Sequence, residues 1–543
     1  MTPWVGGPAP RPAATEGDAP GPSGVMVTTF WVALLFLATR ALGFVREPLV
    51  AAFYGASAAT DAFYVALGIV NLIYAIALGG LVPSVIPVFA KKRRRDGDAR
   101  AWSFLGGFGA WSSLVFVAAA LAMLAAEDLV VSLFAPGLSV EAHATAVELF
   151  RWLMLLPLVT SLATIMSQAL NCHHQFVLPA AGPLAGNAIS LVLFLALVPY
   201  LGIHAAALAV MVGLVTQTIV VAPSVLARAR RFGARPALRD PDLGTALRLG
   251  LPGVGAEALL SVWPFIIVFF GSALPAGTYA SIQFGGKVQV LFLDVLVAAV
   301  GVVMFPRMVQ AAQRGTGELR DLGRFTVRLM IMILLPVTVL LVALRYPLIQ
   351  LIYERRVFLP EATARTATAL GIFALSLVPL GIKDAVMRTF YAVHDVRTPF
   401  RAIIPAVLLD VVLSAALVGP FGLPGLLAAF SASAAFLAAA LLWLAARRGT
   451  PIVDARFGRI VAGLAVATVV MLAALWLVSP ALPGLQGRSG SVPMLVRLRD
   501  LTVAAGLCAV VYGGALLGLR DSVATRALGS TVERVRGWYG RRP

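Results

Sequence analysis

Apolar residues run along most of this chain in repeated blocks of about 20, the length of helix that crosses a bilayer's hydrocarbon core. Many blocks are hydrophobic all round, so lipid rather than water must face them. Blocks fall near 27–54, 60–90, 102–125, 142–170, 179–200, 203–227, 246–272, 277–305, 325–344, 364–391, 401–419, 424–446, 457–478 and 499–519. The predicted fold class is an all-α polytopic membrane protein of about 14 transmembrane helices. The second block carries Gly79, Gly80, Pro83 and Pro87 and is expected to bend or break there.

The polar stretches between blocks set an orientation. One side receives Lys91 to Arg95, Arg228 to Arg248, Arg307 to Arg328, Arg397, Arg401, Arg447, Arg448, Arg456, Arg459 and the arginines of the C-terminal tail. The other receives only Arg345, Arg355, Arg356, Arg365, Arg488, Arg497 and Arg499. Positive residues stay in the cytoplasm, so both termini are expected there, in a bacterial inner membrane.

A weak internal repeat organises the blocks. Phe53-Tyr54-Gly55-Ala56-Ser57, before Asp61 to Tyr64, is matched by Phe269-Phe270-Gly271-Ser272, before Thr278-Tyr279-Ala280. The fifth and eleventh blocks each follow a short polar turn (Asn171 to Gln175; His394 to Arg397) and contain Pro183 or Pro405. Parallel repeats of six suggest two lobes with a site between them. The expected division is a disordered cytoplasmic tail over 1–26, an N-lobe over 27–227 and a C-lobe over 246–446. A C-terminal helix pair over 457–519 and a basic tail over 520–543 follow. The apolar run from Met26 continues as a full span, so no cleavable signal is expected, and Met26 is an alternative start to Met1.

Composition narrows the function. The net charge of +18 would suit nucleic acid, but its basic residues sit in topology-setting loops, so no nucleic acid partner is expected. The two cysteines, Cys172 and Cys508, permit no disulfide framework, and His173 and His174 lack a third ligand at metal spacing. No metal site, no cofactor and no enzymatic nucleophile or Walker motif is expected.

Ionisable residues inside the blocks carry the functional hypotheses, because a charge in hydrocarbon is costly. The basic ones are Arg40, Arg46, Arg151, Lys287, Lys383 and Arg388; the acidic ones are Glu47, Asp61, Glu148, Glu257, Asp294, Asp384 and Asp410. Arg40 and Arg46 can both border a cavity. For Arg46, an ion-paired cluster with Glu47 and Asp61 stands level with substrate contact. Lys287 sits among Gly285, Gly286 and Gln289, with Asp294 two turns along the same face, and is read as a cavity site in preference to a Lys–Asp pair. Arg151 and Glu148 read as an intrahelical pair. Lys383, Asp384 and Arg388 read as snorkelling to the membrane surface. Asp410 has no local partner and is left to pair with a cation of another helix. Cations in a half-hydrated cavity suit a diphosphate, and so many spans suit one carried on a lipid.

Several stretches resemble the MurJ/MviN family of lipid II flippases, within the multidrug/oligosaccharidyl-lipid/polysaccharide exporter superfamily. They are Thr39 to Glu47, Phe53 to Ser57, Asp61 to Ala66, Phe134 to Gly137, Ala169 to Asn171, Leu247 to Leu249 and, most specifically, Arg388 to Pro399. The resemblance covers roughly 27–450. It implies two six-helix lobes around a cationic cavity, a C-terminal pair forming a lipid-tail groove, and export of the peptidoglycan precursor lipid II by alternating access. It implies substrate-binding roles for Arg40, Arg46, Asp61 and Lys287, with Glu47, Asn71, Asp294, Arg388 and Asp410 in support. Implied partners are lipid II, membrane lipid and cell-wall synthesis proteins. The chain departs from the family at Tyr74 and Ala75, where an arginine pair is usual. It departs again at Leu78 or Gly79, where an acid is usual, and at Lys287, where an arginine is usual. These departures keep open a flippase for another polyprenyl-diphosphate glycan. An ion-coupled drug exporter, or a scaffold without transport, is the reading from a different class.

Overall fold

The computed structural model describes residues 22–76, 81–454, 457–486 and 492–518. The basic tail over 520–543, the leading tail up to residue 21, and the bend expected at Gly79 and Gly80 lie outside the described residues.

The first half comprises α1 (Pro22–Tyr54), α2 (Ala58–Tyr74), α3 (Val82–Asp96), α4 (Asp98–Leu124), α5 (Glu127–Phe134), α6 (Val140–Leu153), α7 (Leu156–Cys172), α8 (Val177–Leu201) and α9 (His204–Arg231). The second half comprises α10 (Pro241–Ser272), α11 (Thr278–Arg314), α12 (Thr316–Ala343), α13 (Arg345–Tyr353), α14 (Pro360–Leu375), α15 (Leu377–Ala392), α16 (Arg397–Phe421) and α17 (Leu423–Arg447). Two further helices follow, α18 (Phe457–Val478) and α19 (Met494–Gly518). Among the described residues, 12 helices or bent helix pairs are long and apolar enough to cross a membrane. The protein is a multi-pass, all-helical membrane protein.

The structure departs from the sequence reading in three places. Helix α1 begins at Pro22, so residues 22–26 belong to a helix and not to the tail; a proline's fixed φ suits a first helical position. The runs 142–170 and 364–391 are each two helices, broken at 154–155 and at Ser376. Pro157 and Pro379, just inside the second pieces, have no N–H to continue the ladder. The short helices α5 and α13 were not foreseen, since eight or nine residues fall below any spanning length.

The repeat is visible in backbone detail. Helices α8 and α16 begin and end 220 residues apart. Each is preceded by a turn in which a histidine, His174 or His394, takes a left-handed φ near 60°. The turns share their hydrogen bonds: Gln175 N–H donates to Leu170 O, and Asp395 N–H to Phe390 O, each at 3.0 Å. After the two helices, Gly202 (φ 51°, ψ −139°) and Gly422 (φ 57°, ψ −132°) adopt one conformation. Left-handed φ favours glycine, which lacks the clashing Cβ. Helices α18 and α19 lie outside the repeat and pack on α12; Tyr512 donates its hydroxyl hydrogen to Met332 O at 3.0 Å.

Close approach within the membrane rests on small residues, because lipid tails give apolar helices no reason to prefer each other. Where α8 crosses α9, a Cβ on Gly213 would stand 2.8 Å from Gly186 O, so only glycine fits that crossing. At the arginine-poor end the two halves share one core. Tyr64 and Phe284 meet edge to face at 5.6 Å, Gly137 N–H donates to Ser272 Oγ at 3.2 Å, and Val357 N–H donates to Ala52 O at 3.4 Å.

Candidate functional site

A cavity of about 540 Å³ lies between the halves, walled mainly by α2, α10 and α11. Most of its wall is apolar, with Phe134, Phe265, Phe373 and Phe430 contributing rings. Its polar groups are few. Lys287 is the one basic residue among those lining it and Glu257 the one acidic, with Asn71, Gln283, Gln289, Tyr64 and Tyr279 around them. Helical spacing aims this set: Tyr279, Gln283 and Lys287 follow one another at four-residue steps along α11. Gln283 donates to Tyr279 Oη at 2.8 Å, and Gln289 donates to Ser376 Oγ at 3.1 Å, which fixes both amides.

Behind the wall stands a buried network. Tyr64 donates to Glu47 Oε2 at 2.5 Å, and Arg46 Nη2 donates to Glu47 Oε1 at 3.1 Å. Glu47 is buried and lies within the electrostatic reach of Lys287. One carboxylate therefore answers two cations, Arg46 and Lys287, and Glu257 on the wall supplies a second negative charge to the same cavity.

The predicted residues separate into groups. Lys287 and Asn71 line the cavity. Glu47 reaches it through Tyr64 and pairs with Arg46, whereas Asp61, expected in the same cluster, is engaged elsewhere. Arg40 is not on the wall; its Nη1 lies 2.9 Å from Asp294 Oδ2 at the seam between α1 and α11. Asp294 consequently does not partner Lys287, although both are on α11.

Asp61 is buried and is not among the residues lining this cavity. Its carboxylate accepts the backbone N–H groups of Gly277 and Ala280, each at 2.6 Å. It thus caps the start of α11 from the opposite half, where unsatisfied donors and the helix dipole favour an anion. Arg388 is not extended to the surface. Its Nε donates to Asp384 at 2.6 Å, and its guanidinium occupies the space a side chain at Gly301 would need. Asp410 is buried on α16 with no basic residue paired to it among the described residues. Arg151 reaches Glu127, not Glu148, with its Nε 2.6 Å from Glu127 Oε2, because α5 brings that carboxylate alongside. Tyr74, at the first family departure, meets Thr164 Oγ1 at 3.1 Å; Leu78 and Gly79 lie outside the described residues. Sequence reading missed Gln283 as a wall residue and named Glu257 as an intramembrane acid without giving it a role. The i, i+4 spacing of Gln283 to Lys287 was the available signal.

A charged clasp ties the two halves together at the basic end. Lys92 Nζ donates to Asp240 at 3.0 Å and to Asp242 at 2.6 Å, and Asp96 lies 3.6 Å away. Ser84 Oγ donates to Ala246 O at 2.9 Å, so α3 of one half is tied to the start of α10 in the other. Burial works against the charge on Lys92, but the hydrogen bonds to Asp242 and Asp240 prevail and hold its pKa above the usual lysine value. Removing the ammonium would leave three carboxylates with Arg95 alone, which pairs with Asp96 at 2.8 Å and Asp242 at 3.0 Å, and would strip Asp240 of its only cation among the described residues. In a Lys92→Ala variant with Cys172 and Cys508 replaced, a Ser261→Cys probe on the cavity wall is expected to label at least about tenfold faster with a charged maleimide. Labelling at the parental rate would show that the clasp does not keep this end shut.

Comparison with known proteins places this architecture. The family model described as "Lipid II flippase MurJ" matches residues 50–495. A probable lipid II flippase MurJ from Rhizobium meliloti is 27% identical over 522 residues, covering 92% of this chain and 96% of its own. The lipid II flippase MurJ of Burkholderia cenocepacia is 25% identical over 375 residues, covering 67% of this chain and 73% of its own. Among solved structures, a lipid II flippase MurJ in an inward closed conformation superposes with a TM-score of 0.75 at 19% identity, covering 90% of this chain and 99% of that one. An inward-facing multidrug resistance transporter of the MATE family superposes with a TM-score of 0.60 at 15% identity, covering 77% and 94%.

Proposed function

Because the chain belongs to the lipid II flippase MurJ family, we propose that it carries lipid II, an undecaprenyl-diphosphate-linked glycan, from the cytoplasmic to the outer leaflet. The observation that carries this reading is Lys287. It is a cation on the wall of a cavity bounded by both halves, at a depth where hydrocarbon would exclude it, with Arg46 behind it. An ammonium there gives a diphosphate charge-assisted hydrogen bonds, and the aromatic wall suits the apolar part of the same molecule.

The orientation follows the arginine asymmetry. The basic end, with Lys92 and its clasp, faces the cytoplasm, both termini lie there, and α1 and the α2–α3 pair are the first two of 14 spans in a bacterial inner membrane. The halves act as two lobes. The cavity opens in alternation, to the cytoplasm by parting of the clasp and outward by parting of the Asp61 contact. Cell-wall synthesis proteins are the natural recipients of the exported lipid. Nothing in the site calls for a catalytic step, since the cargo leaves chemically unchanged.

The test is transport by the full chain. In proteoliposomes containing lipid II, externally accessible lipid is expected to appear with the parent protein, and depletion in cells is expected to stop its exposure. Normal exposure of lipid II in depleted cells would refute the assignment. The alternative of another polyprenyl-diphosphate glycan is favoured by one observation, the thin positive charge of the wall, where Ala75 stands in place of an arginine. Loss of an exopolysaccharide with intact wall synthesis would select it.

A further inference from the structure

The Arg40–Asp294 pair is an unusual contact. It joins α1 of one half to α11 of the other, yet its side chains are 47% and 37% exposed. At 1.5 Å per residue, Arg40 lies about 21 Å from the Tyr54 end of α1 and Asp294 about 24 Å from the Thr278 start of α11. Both depths fall within a hydrocarbon core of about 30 Å. The exposed neighbours are apolar: Phe36, Leu37 and Val295, together with Val290, which also lines the cavity. Arg40 also stacks over Phe36 at 5.2 Å. An ion pair set sideways in such a surface is neither a buried packing element nor a solvated surface bridge. It sits in the lateral seam between the halves, beside the helix that carries Lys287.

We propose that Asp294 is an internal stand-in for the substrate's anion: it holds Arg40 across the seam and is displaced there by the arriving diphosphate. The exchange is favourable for a definite reason. Breaking the pair without replacement would leave two charges unpartnered in a low-dielectric setting. A diphosphate offers the planar guanidinium of Arg40 a pair of acceptor oxygens that carry more charge than a carboxylate. Only a ligand with such a group can undo the contact without stranding Arg40, so the seam yields to a lipid diphosphate and resists neutral lipids. The freed Asp294 then repels the diphosphate away from the seam and toward the Lys287 side. This inference rests on the flippase reading for its ligand and on geometry alone for its latch.

The experiment uses the full chain in nanodiscs with undecaprenyl diphosphate as probe and phosphatidylcholine as host lipid. Asp294→Asn removes the competing anion while keeping its shape. Affinity for the probe is expected to rise about fivefold, the value of a half-exposed competing pair. Spin labels at Leu37→Cys and Val290→Cys are expected to move apart in Asp294→Asn without any probe, and in the parent only when the probe is added. Adding Arg40→Gln to Asp294→Asn is expected to cancel the gain in affinity. Unchanged affinity together with an unchanged label distance in Asp294→Asn would overturn the proposal. A parent that binds no probe would instead sink the substrate assignment, while the label distance read without probe still decides whether the pair latches the seam.

Discussion

Lys287→Gln is expected to weaken binding of undecaprenyl diphosphate by roughly 10- to 100-fold while leaving the fold intact. A charge-assisted hydrogen bond contributes about 1.5–3 kcal/mol, and each 1.4 kcal/mol is a factor of ten in affinity. No second cation on the wall can take over, since Lys287 is the one basic residue among those lining the cavity. The loss deepens because Glu257 remains in the same space and Glu47 keeps only Arg46 to answer it. Lys287→Arg is expected to bind at least as tightly as the parent, because a guanidinium meets a diphosphate through two parallel bonds where an ammonium is a point charge. Titration of purified protein with the lipid, alongside a thermal melt, separates binding from folding. Parental affinity in Lys287→Gln would remove the site from this cavity.

Asp61→Ala is expected to abolish transport by a different route. Its carboxylate is the acceptor for two buried backbone donors at the start of α11, and alanine supplies neither bond. Each orphaned buried donor costs about 1–3 kcal/mol, and the helix end loses an anion placed where its dipole favours one. The cost falls only on the state in which the two halves meet at the arginine-poor end, because only there does Asp61 reach Gly277. The balance of open and closed forms should therefore move by roughly two to four powers of ten. Asp61→Asn retains one acceptor oxygen and is expected to transport at an intermediate rate. Lipid affinity distinguishes this role from substrate contact: a capping residue leaves it near parental, whereas a ligand-touching residue does not. A carrier with alanine at 61 that flips lipid at the normal rate would end this account.

These two residues show what the sequence can and cannot disclose. The membrane spans were legible because an apolar run of about 20 residues has few other uses. Lys287 was legible because a lysine among glycines in such a run needs an explanation. Asp61 was located, but the groups it holds were not legible, since the N–H groups that donate to its carboxylate lie more than 200 residues away and belong to the main chain. The same limit governs the ion pairs. Helical spacing reveals neighbours three or four residues apart, so Arg151 was assigned Glu148, while its actual partner Glu127 sits on a short helix that no spanning criterion finds. The partner of Arg40 was hidden for the same reason, Asp294 being supplied by the other half of the chain. The breaks at 154–155 and Ser376 were hidden because both pieces of each pair are equally apolar, and only the prolines beside them hinted at a kink.

The contacts at the arginine-poor end have an implication for how such carriers diverge. Gly277 against Ala56, Val357 N–H on Ala52 O, and the paired amides held by Asp61 are written largely in main-chain atoms, which every residue type supplies. Mutation can rewrite most surrounding side chains without erasing that seal, provided a glycine and one acid persist. A chain could therefore drift far in letters around this contact and still keep the same latch, and engineers could exchange the greasy faces around it wholesale.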